Sequence, residues 1–356
     1  MKITLKTSHL KSILEVVKKG LGSGKILPIT EFIEILFVDG AMFVTSTDLT
    51  TWVTYKMPYE LPLEPEQELS IIVDGNKFHQ LISKTNVENV EMELKGDVLL
   101  VKGNGVYEFP TLQEEFPDYS FQELYSKDSI NVEKLKKAIS QNEGSVATDM
   151  IMPCLTGYCV GKDITTTNSI KMTISKDVNV CDNNILIPQQ VATLIQVLED
   201  DEATISVGEG TILIDTSNIT IFGPLLEGIE QYPNLDFIIQ KKFEGSVDIN
   251  IKNMLDILER LKIFSDPLNV NGVILDFKEH FISVYDHSQN NVERLNYVKK
   301  HKFIPYTLTV DIRFLEELLK KTSGSVATIN YGDSSLIEIV GESVNHYLCL
   351  INDGED

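Results

Sequence analysis

The run Gly20-Leu21-Gly22-Ser23-Gly24-Lys25 invites a chemical reading first, because glycine-rich loops that end in lysine cradle phosphates. Its spacing refuses that reading. A phosphate loop needs glycine where Lys19 stands and serine or threonine where Ile26 stands, and it follows a strand, whereas this run follows a helical stretch. The histidines His9, His79, His280, His287, His301 and His346 form no H-E-x-x-H pair. His280, Asp286 and His287 lie close in sequence, and surface strand positions account for them. No G-x-S-x-G elbow occurs, and Cys154, Cys159, Cys181 and Cys349 form no C-x-x-C pair and no zinc spacing. Neither catalytic residues, nor a metal, nor a cofactor is therefore expected. A site assembled from scattered carboxylates is the one enzymatic reading left.

What remains is charge and repetition. The 356 residues hold 31 Lys and Arg against 53 Asp and Glu, a formal charge of −22. A surface so acidic argues against general adhesion to nucleic acid but allows a local basic face. The hydrophobic fraction of 42% and charged fraction of 24% are those of a globular protein, which excludes disorder and collagen-like classes. Reduced thiols, an N-terminus Met1-Lys2-Ile3-Thr4-Leu5-Lys6 without a long apolar run, and no stretch of about 20 apolar residues set the expectation of a cytoplasmic protein without membrane spans.

Three segments stack on one another. Each opens with a β-branched run (Ile71–Asp74, Ile185–Pro188, Leu308–Asp311), passes through residues of helical spacing, and ends in three alternating runs that close at Leu112, Leu226 and Leu350. Those leucines stand 114 and 124 residues apart, a period suited to a small domain. The preceding halves repeat as well. Helices are predicted over Ser8–Lys19, Asn131–Gln141 and Asn250–Lys262. Strands are predicted after them at Ile33–Val38 and Met42–Ser46, Leu155–Val160 and Asp163–Thr167, and Gly272–Phe277 and Phe281–Tyr285. The expected fold class is α+β, with three similar domains at 1–124, 125–243 and 244–356, each carrying two helices packed on antiparallel sheets.

Gly22-Ser23-Gly24-Lys25-Ile26-Leu27-Pro28-Ile29, Thr45-Ser46-Thr47-Asp48-Leu49, Phe116-Pro117-Asp118-Tyr119, Leu155-Thr156-Gly157, Ile187-Pro188 and Leu225-Leu226-Glu227-Gly228, in this order within a threefold repeat, resemble the bacterial DNA polymerase III beta subunit, the sliding-clamp family. The resemblance spans nearly the whole chain. It implies a head-to-tail homodimeric ring of six domains around duplex DNA, with helices lining the hole and sheets outside. The implied function is to tether the replicative polymerase and confer processivity. An interaction scaffold of the same fold that does not encircle DNA is the alternative.

In such a ring the helices carry cations toward phosphate, without reading sequence. The candidates are Lys11, Lys18, Lys19 and Lys25, then Lys77 and Lys84, then Lys134, Lys136 and Lys137, then Lys252, Arg260 and Lys262, then Arg313, Lys320 and Lys321. The stretch Gln189–Asp200 offers none. The resemblance also implies a pocket through which the polymerase catalytic subunit and the clamp loader bind by short apolar peptide motifs. Its candidates are Leu155, Thr167, Ser169, Ile170, Lys171 and Met172, with Leu348 and Leu350. Ile170 stands where the family usually has histidine, and Lys171 where it has arginine. At the ring joint, Tyr107 and Phe109 of an edge strand are expected to meet Ile263 and Phe264 of the other protomer. Pro110 suits such an edge.

Overall fold

The structure of the chain is a computed structural model that describes residues 2–22, 27–60, 68–264, 271–333 and 335–351. A strand, a helix and a three-stranded meander follow one another six times. The helices are α1 (Thr7–Val17), α2 (Gly75–Lys84), α3 (Val132–Asn142), α4 (Gln189–Ile195), α5 (Asp236–Ile239), α6 (Ile251–Leu261) and α7 (Ile312–Lys321), of which only the one-turn α5 stands outside the pattern. Every helix of the pattern follows its strand with no loop, and in three of them the side chain of the last strand residue also caps the helix. Asp74 Oδ1 accepts from the Lys77 N–H at 2.8 Å, Asn250 Oδ1 from Asn253 at 2.9 Å, and Asp311 Oδ1 from Arg313 at 2.9 Å.

Each leading strand pairs with the meander of the other copy in its repeat. Lys2–Lys6 joins Asn89–Lys95, Val98–Lys102 and Val106–Pro110, while Leu69–Asp74 joins Phe32–Val38, Ala41–Thr47 and Trp52–Pro58. Glu123–Asn131 likewise joins Glu202–Gly208, Thr211–Asp215 and Ile219–Pro224. Ile185–Pro188 joins Gly157–Val160, Ile164–Thr167 and Lys171–Ser175. In the last repeat Gly245–Asn250 joins Val326–Tyr331, Leu336–Val340 and Val344–Cys349, with Lys299–Lys302 added at the margin, and Tyr306–Asp311 joins Gly272–Phe277, Phe281–Asp286 and Val292–Asn296.

Two antiparallel pairings then splice sheets of successive repeats. Trp52–Pro58 binds Ile219–Pro224, with Val53 opposite Ile221, and makes one eight-stranded sheet. Lys171–Ser175 binds Val344–Cys349, with Met172 opposite Tyr347, and makes one of nine strands. Contact density accordingly divides the chain into two units that cut through the middle repeat. The first is Met1–Glu133 with Pro188–Leu225, and the second is Lys134–Ile187 with Leu226–Asp356.

The helical spacing read in the sequence buries as expected. Leu10, Ile13, Leu14 and Val17 of α1 pack with Phe78 and Ile82 of α2 over Ile33, Ile35 and Val44. In the second unit Met254, Leu258, Leu315 and Leu319 cover a core in which Phe277 and Tyr331 stack with centroids 3.7 Å apart. The sequence reading needs two corrections. The strand expected from Leu155 begins only at Gly157, because Pro153 opens a 3-10 turn over Pro153–Thr156. The leading strands Glu123–Asn131 and Gly245–Asn250 are not among the predicted elements, and the first is mostly exposed and too polar to show a clear alternation.

Gly245 shows how tightly the second unit is packed. A Cβ there would lie 2.1 Å from the Tyr331 ring. Gly245→Ala is expected to cost about 3 kcal/mol of stability, read as a lowered urea midpoint, since overpacking must displace a stacked aromatic pair.

Candidate functional site

The cations expected to face DNA lie on helices or at their ends, but many are engaged by their own chain. Lys77 pairs with the capping Asp74 at 2.8 Å, and Arg313 with the capping Asp311 at 2.7 Å. Arg260 holds Glu293 through two bonds, and Glu316 takes Lys262 at 2.7 Å and Lys320 at 2.5 Å, which pulls its carboxyl below the usual range. Lys321 pairs with Glu143 at 2.9 Å, Lys11 donates to the Thr85 carbonyl at 2.7 Å, and Lys134 donates to the Asp177 carbonyl. Lys136 is half-buried on α3. Lys18, Lys19, Lys84, Lys137 and Lys252 stand exposed. Lys25 lies outside the described residues.

Each unit presents an apolar sheet margin. In the first, Val106–Pro110 is the edge of its four-stranded sheet, with Val106 66% and Tyr107 38% exposed. Phe109 is 8% exposed and packs edge-on against Phe78 at 5.5 Å, so its ring fills its own core and Tyr107 alone carries the aromatic surface expected there. In the second unit Ile263 and Phe264, just after α6, are 77% and 57% exposed. Val292 is also exposed, on the edge strand Val292–Asn296.

The expected peptide pocket is drawn together by strand pairing and then split by it. Thr167-Asn168-Ser169-Ile170-Lys171 is a hairpin in which Thr167 Oγ1 donates to the Lys171 carbonyl at 3.0 Å and Asn168 Oδ1 accepts from the Ile170 and Lys171 N–H groups. The same turn occurs at Thr47-Asp48-Leu49-Thr50-Thr51, with Leu49 and Ser169 both at φ 72°. The hairpin sets Lys171 opposite Leu348 and Met172 opposite Tyr347. Successive strand residues face opposite ways. Leu348 and the partly buried Leu350 therefore pack with the α6 and α7 core, while Met172 packs with Ile174, Leu336 and Tyr347 under Leu235, Ile238 and Phe243. Leu155 lies in a third cluster with Cys159, Leu186 and Leu226. Only Ser169, Ile170 and Leu350 of the eight candidates reach the surface appreciably.

Lys171 is 5% exposed. Its ammonium meets Glu317 of α7 and lies 4.6 Å from the Phe314 ring centroid, so it ties a strand to a helix. The connector that covers Met172 is tied down too, because Lys241 donates to Asp333 Oδ1 at 2.9 Å. Burial alone would raise the Asp333 carboxyl. Bonds from the Ser335 hydroxyl at 2.5 Å, from Lys241 and from the Ser335 N–H at 2.8 Å outweigh it and hold the group at about 2. Among the described residues no group of three or more His, Cys, Asp or Glu is arranged to hold a metal. Asp286, set between two histidines in sequence, is consumed by its own turn through Ser288 and Asn291. Fully buried His346 bonds Thr173 at 2.8 Å, and burial pushes its imidazole down to about 3.

Residues 1–120 match the family model of the DNA polymerase III beta subunit, N-terminal domain. The beta sliding clamp of Bacillus subtilis is 25% identical over 300 residues, which cover 78% of each chain. That of Salmonella typhimurium is 21% identical over 308 residues, covering 83% of this chain and 82% of its own. The crystal structure of the Bacillus subtilis clamp superposes on 99% of this chain and all of its own at a TM-score of 0.86 and 21% identity. A Pseudomonas aeruginosa sliding clamp bound to griselimycin does so at 0.88 and 16%, covering 99% of both chains. The chain's first 120 residues match the beta-subunit N-terminal domain, and the chain as a whole has the sliding-clamp fold.

Within this fold the sequence reading missed Glu317, Phe314 and the connector residues Leu235, Ile238 and Phe243. The i, i+3 spacing of Leu235 and Ile238 was the available signal for the connector; nothing in sequence pointed from Lys171 to Glu317, 146 positions away. Glu317→Ala strands a buried ammonium and is expected to cost about 3 kcal/mol. Lys171→Met, which keeps the volume, should cost about 1, both by urea unfolding.

The Asp333 carboxyl titrates lower in the folded than in the unfolded chain. Its contribution is therefore complete above about pH 4 and is lost as pH falls toward about 2. Asp333→Asn should flatten that limb, so that the drop in urea midpoint between pH 7 and pH 3 is smaller than in the parent protein.

Proposed function

We propose that the chain is a sliding clamp that closes head to tail with a second copy, encircles duplex DNA without reading sequence, and tethers a replicative DNA polymerase. The observation that carries this reading is the match of nearly the entire chain, not one domain of it, to sliding-clamp folds at TM-scores of 0.86 and 0.88. The three domains are taken as 1–124, 125–243 and 244–356. The joint is taken as the Val106–Pro110 edge with Tyr107, against Ile263 and Phe264 of a second copy. Both margins are apolar, open and left over when each unit has satisfied its own core, which is the condition for an edge that closure removes.

Lys18, Lys19, Lys84, Lys137 and Lys252 are the cations most available to phosphate. Polymerase and loader peptides are assigned to the rim of Ser169, Ile170 and Leu350, where an apolar anchor finds two apolar side chains beside a hairpin tip. No chemistry of its own is assigned to the chain, and its place of action is the cytoplasm. Among the described residues no helix is long and apolar enough to cross a membrane.

One observation favours the scaffold alternative, in which DNA is not encircled. Lys77, Arg260, Lys262, Arg313, Lys320 and Lys321 are each paired with a carboxylate of their own chain, Lys262 and Lys320 sharing Glu316. Such exposed pairs are worth little, about 0.5 kcal/mol, and a phosphate can displace the carboxylate. Topology decides between the readings. After loading by a clamp-loading ATPase, the protein should stay on nicked circular duplex through a gel-filtration column at about 0.5 M salt, where direct phosphate contacts are screened, and leave when the circle is cut once. Equal behaviour on circular and linear DNA would select the scaffold.

A further inference from the structure

The same groove is built in each unit; the first is lined by Glu34, Glu68 and Asp118 and, among the described residues, by no lysine or arginine, whereas the second sets Lys162 beside Asp163 and Asp236. In the first unit the segment Phe116-Pro117-Asp118-Tyr119 crosses the outer face of the eight-stranded sheet and leaves a cavity of about 420 Å³. In the second, Tyr232-Pro233-Asn234-Leu235 borders a cavity of about 400 Å³. Strand register aligns the two floors. Thr45 lies opposite Glu34 in the first, and Thr165 lies opposite Cys159 in the second. These threonines occupy matching places, each two residues before Thr47 and Thr167 of the shared hairpin turn. Glu34 thus takes the position of Cys159, and Asp118 that of Asn234. The fold forms the groove without these carboxylates, so a structural requirement does not account for them.

Glu34 is half-buried on the floor, and its Oε1 accepts one bond, from the Ser70 hydroxyl at 2.6 Å. Burial, together with Glu68 and Asp118 nearby, raises its carboxyl against that bond. Among the described residues no cation pairs with any of the three. Lys56, on the same sheet face opposite Phe43, lies 5.6 Å from that ring's centroid. The walls are aromatic: Trp52 and Tyr119 have centroids 5.7 Å apart, and the indole N–H is spent on the Pro117 carbonyl at 2.9 Å. A cavity of this size, with aromatic walls and an uncompensated negative floor, has the shape and charge of a receptor for one long cationic side chain.

We propose that the Glu34 groove receives a lysine or arginine side chain of a partner peptide, flanked by apolar residues that lie on Trp52, Phe43 and Tyr119. It is a second partner contact, distinct in place and chemistry from the Ile170 and Leu350 rim, and it does not rest on the ring reading. The selectivity belongs to the first unit, because the matching groove replaces the floor carboxylate by a thiol.

Trp52 is the chain's single tryptophan, so its emission reports this groove alone. The full-length protein is titrated with an acetylated, amidated Ala-Leu-Arg-Leu-Ala peptide and with its citrulline analogue, which keeps the shape and loses the charge. The arginine peptide should give a saturable change and bind at least about tenfold more tightly, with the preference falling as salt rises from about 50 to about 300 mM. Glu34→Gln, checked by circular dichroism, should abolish the preference. Asp118→Asn, at the exposed rim, should halve it or more. Equal binding of both peptides, or no saturable change in the parent protein, overturns the proposal. So does a magnesium titration that reproduces the change and displaces the peptide, since that makes the site one for a metal ion.

Discussion

The exchange of strands between copies is the constraint on which the rest of the structure depends. Each strand–helix–meander unit sends its leading strand into the sheet of its twin, and none completes its sheet alone. Two further pairings then fuse those sheets across repeats, at Val53 opposite Ile221 and at Met172 opposite Tyr347. Every strand edge so consumed is one that cannot recruit another molecule. Among the described residues eight strands still end the four sheets. Val106–Pro110 in one unit and Val292–Asn296 in the other end their sheets, and exposed apolar side chains stand on the first edge, on the second, and after α6. Those two margins combine a free edge with exposed apolar side chains, and a closed oligomer is the simplest arrangement that would cover a pair of them.

The same splicing explains why the residues expected to bind a partner are mostly buried. Met172 and Leu348 sit on the two faces of a seam in the nine-stranded sheet, so one is covered by the connector and the other by α6 and α7. The seam can hold an apolar partner only along its rim, where Ile170 and Leu350 emerge. Lys171 and Asp333 fix that rim from either side, through Glu317 on a helix and Lys241 on the connector. These polar ties do more for position than for stability, since a paired buried charge recovers little beyond its desolvation cost.

Most of the repeat was legible in the sequence because its signals are local. A β-branched run marked Ile71–Asp74, an apolar run broken by one glutamate marked Leu336–Ile339, and i, i+3, i+4 spacing marked α1, α6 and α7, whose apolar stripes bury as read. The strand Glu123–Asn131 escaped because most of its side chains meet solvent and its place is set by pairing with residues some 75 positions away. Charge was legible only as composition. That Lys262 and Lys320 both point at Glu316, or that Phe109 turns inward to Phe78, depends on side-chain geometry that spacing does not carry.

Internal repetition also supplies a control that a single domain lacks. Where two copies of a structural device differ, the fold itself separates what scaffolding needs from what has been added. The hairpin turns at Thr47 and Thr167 are chemically alike, with Asp48 and Asn168 accepting the same backbone donors, so those residues belong to the scaffold. The floors of the two connector grooves are not alike. A carboxylate placed against apolar walls with no cation to meet it weakens the unit that carries it, whereas a thiol in the matching place does not. Such a cost persists in a chain when something outside the chain relieves it, and the charge that relieves Glu34 is positive.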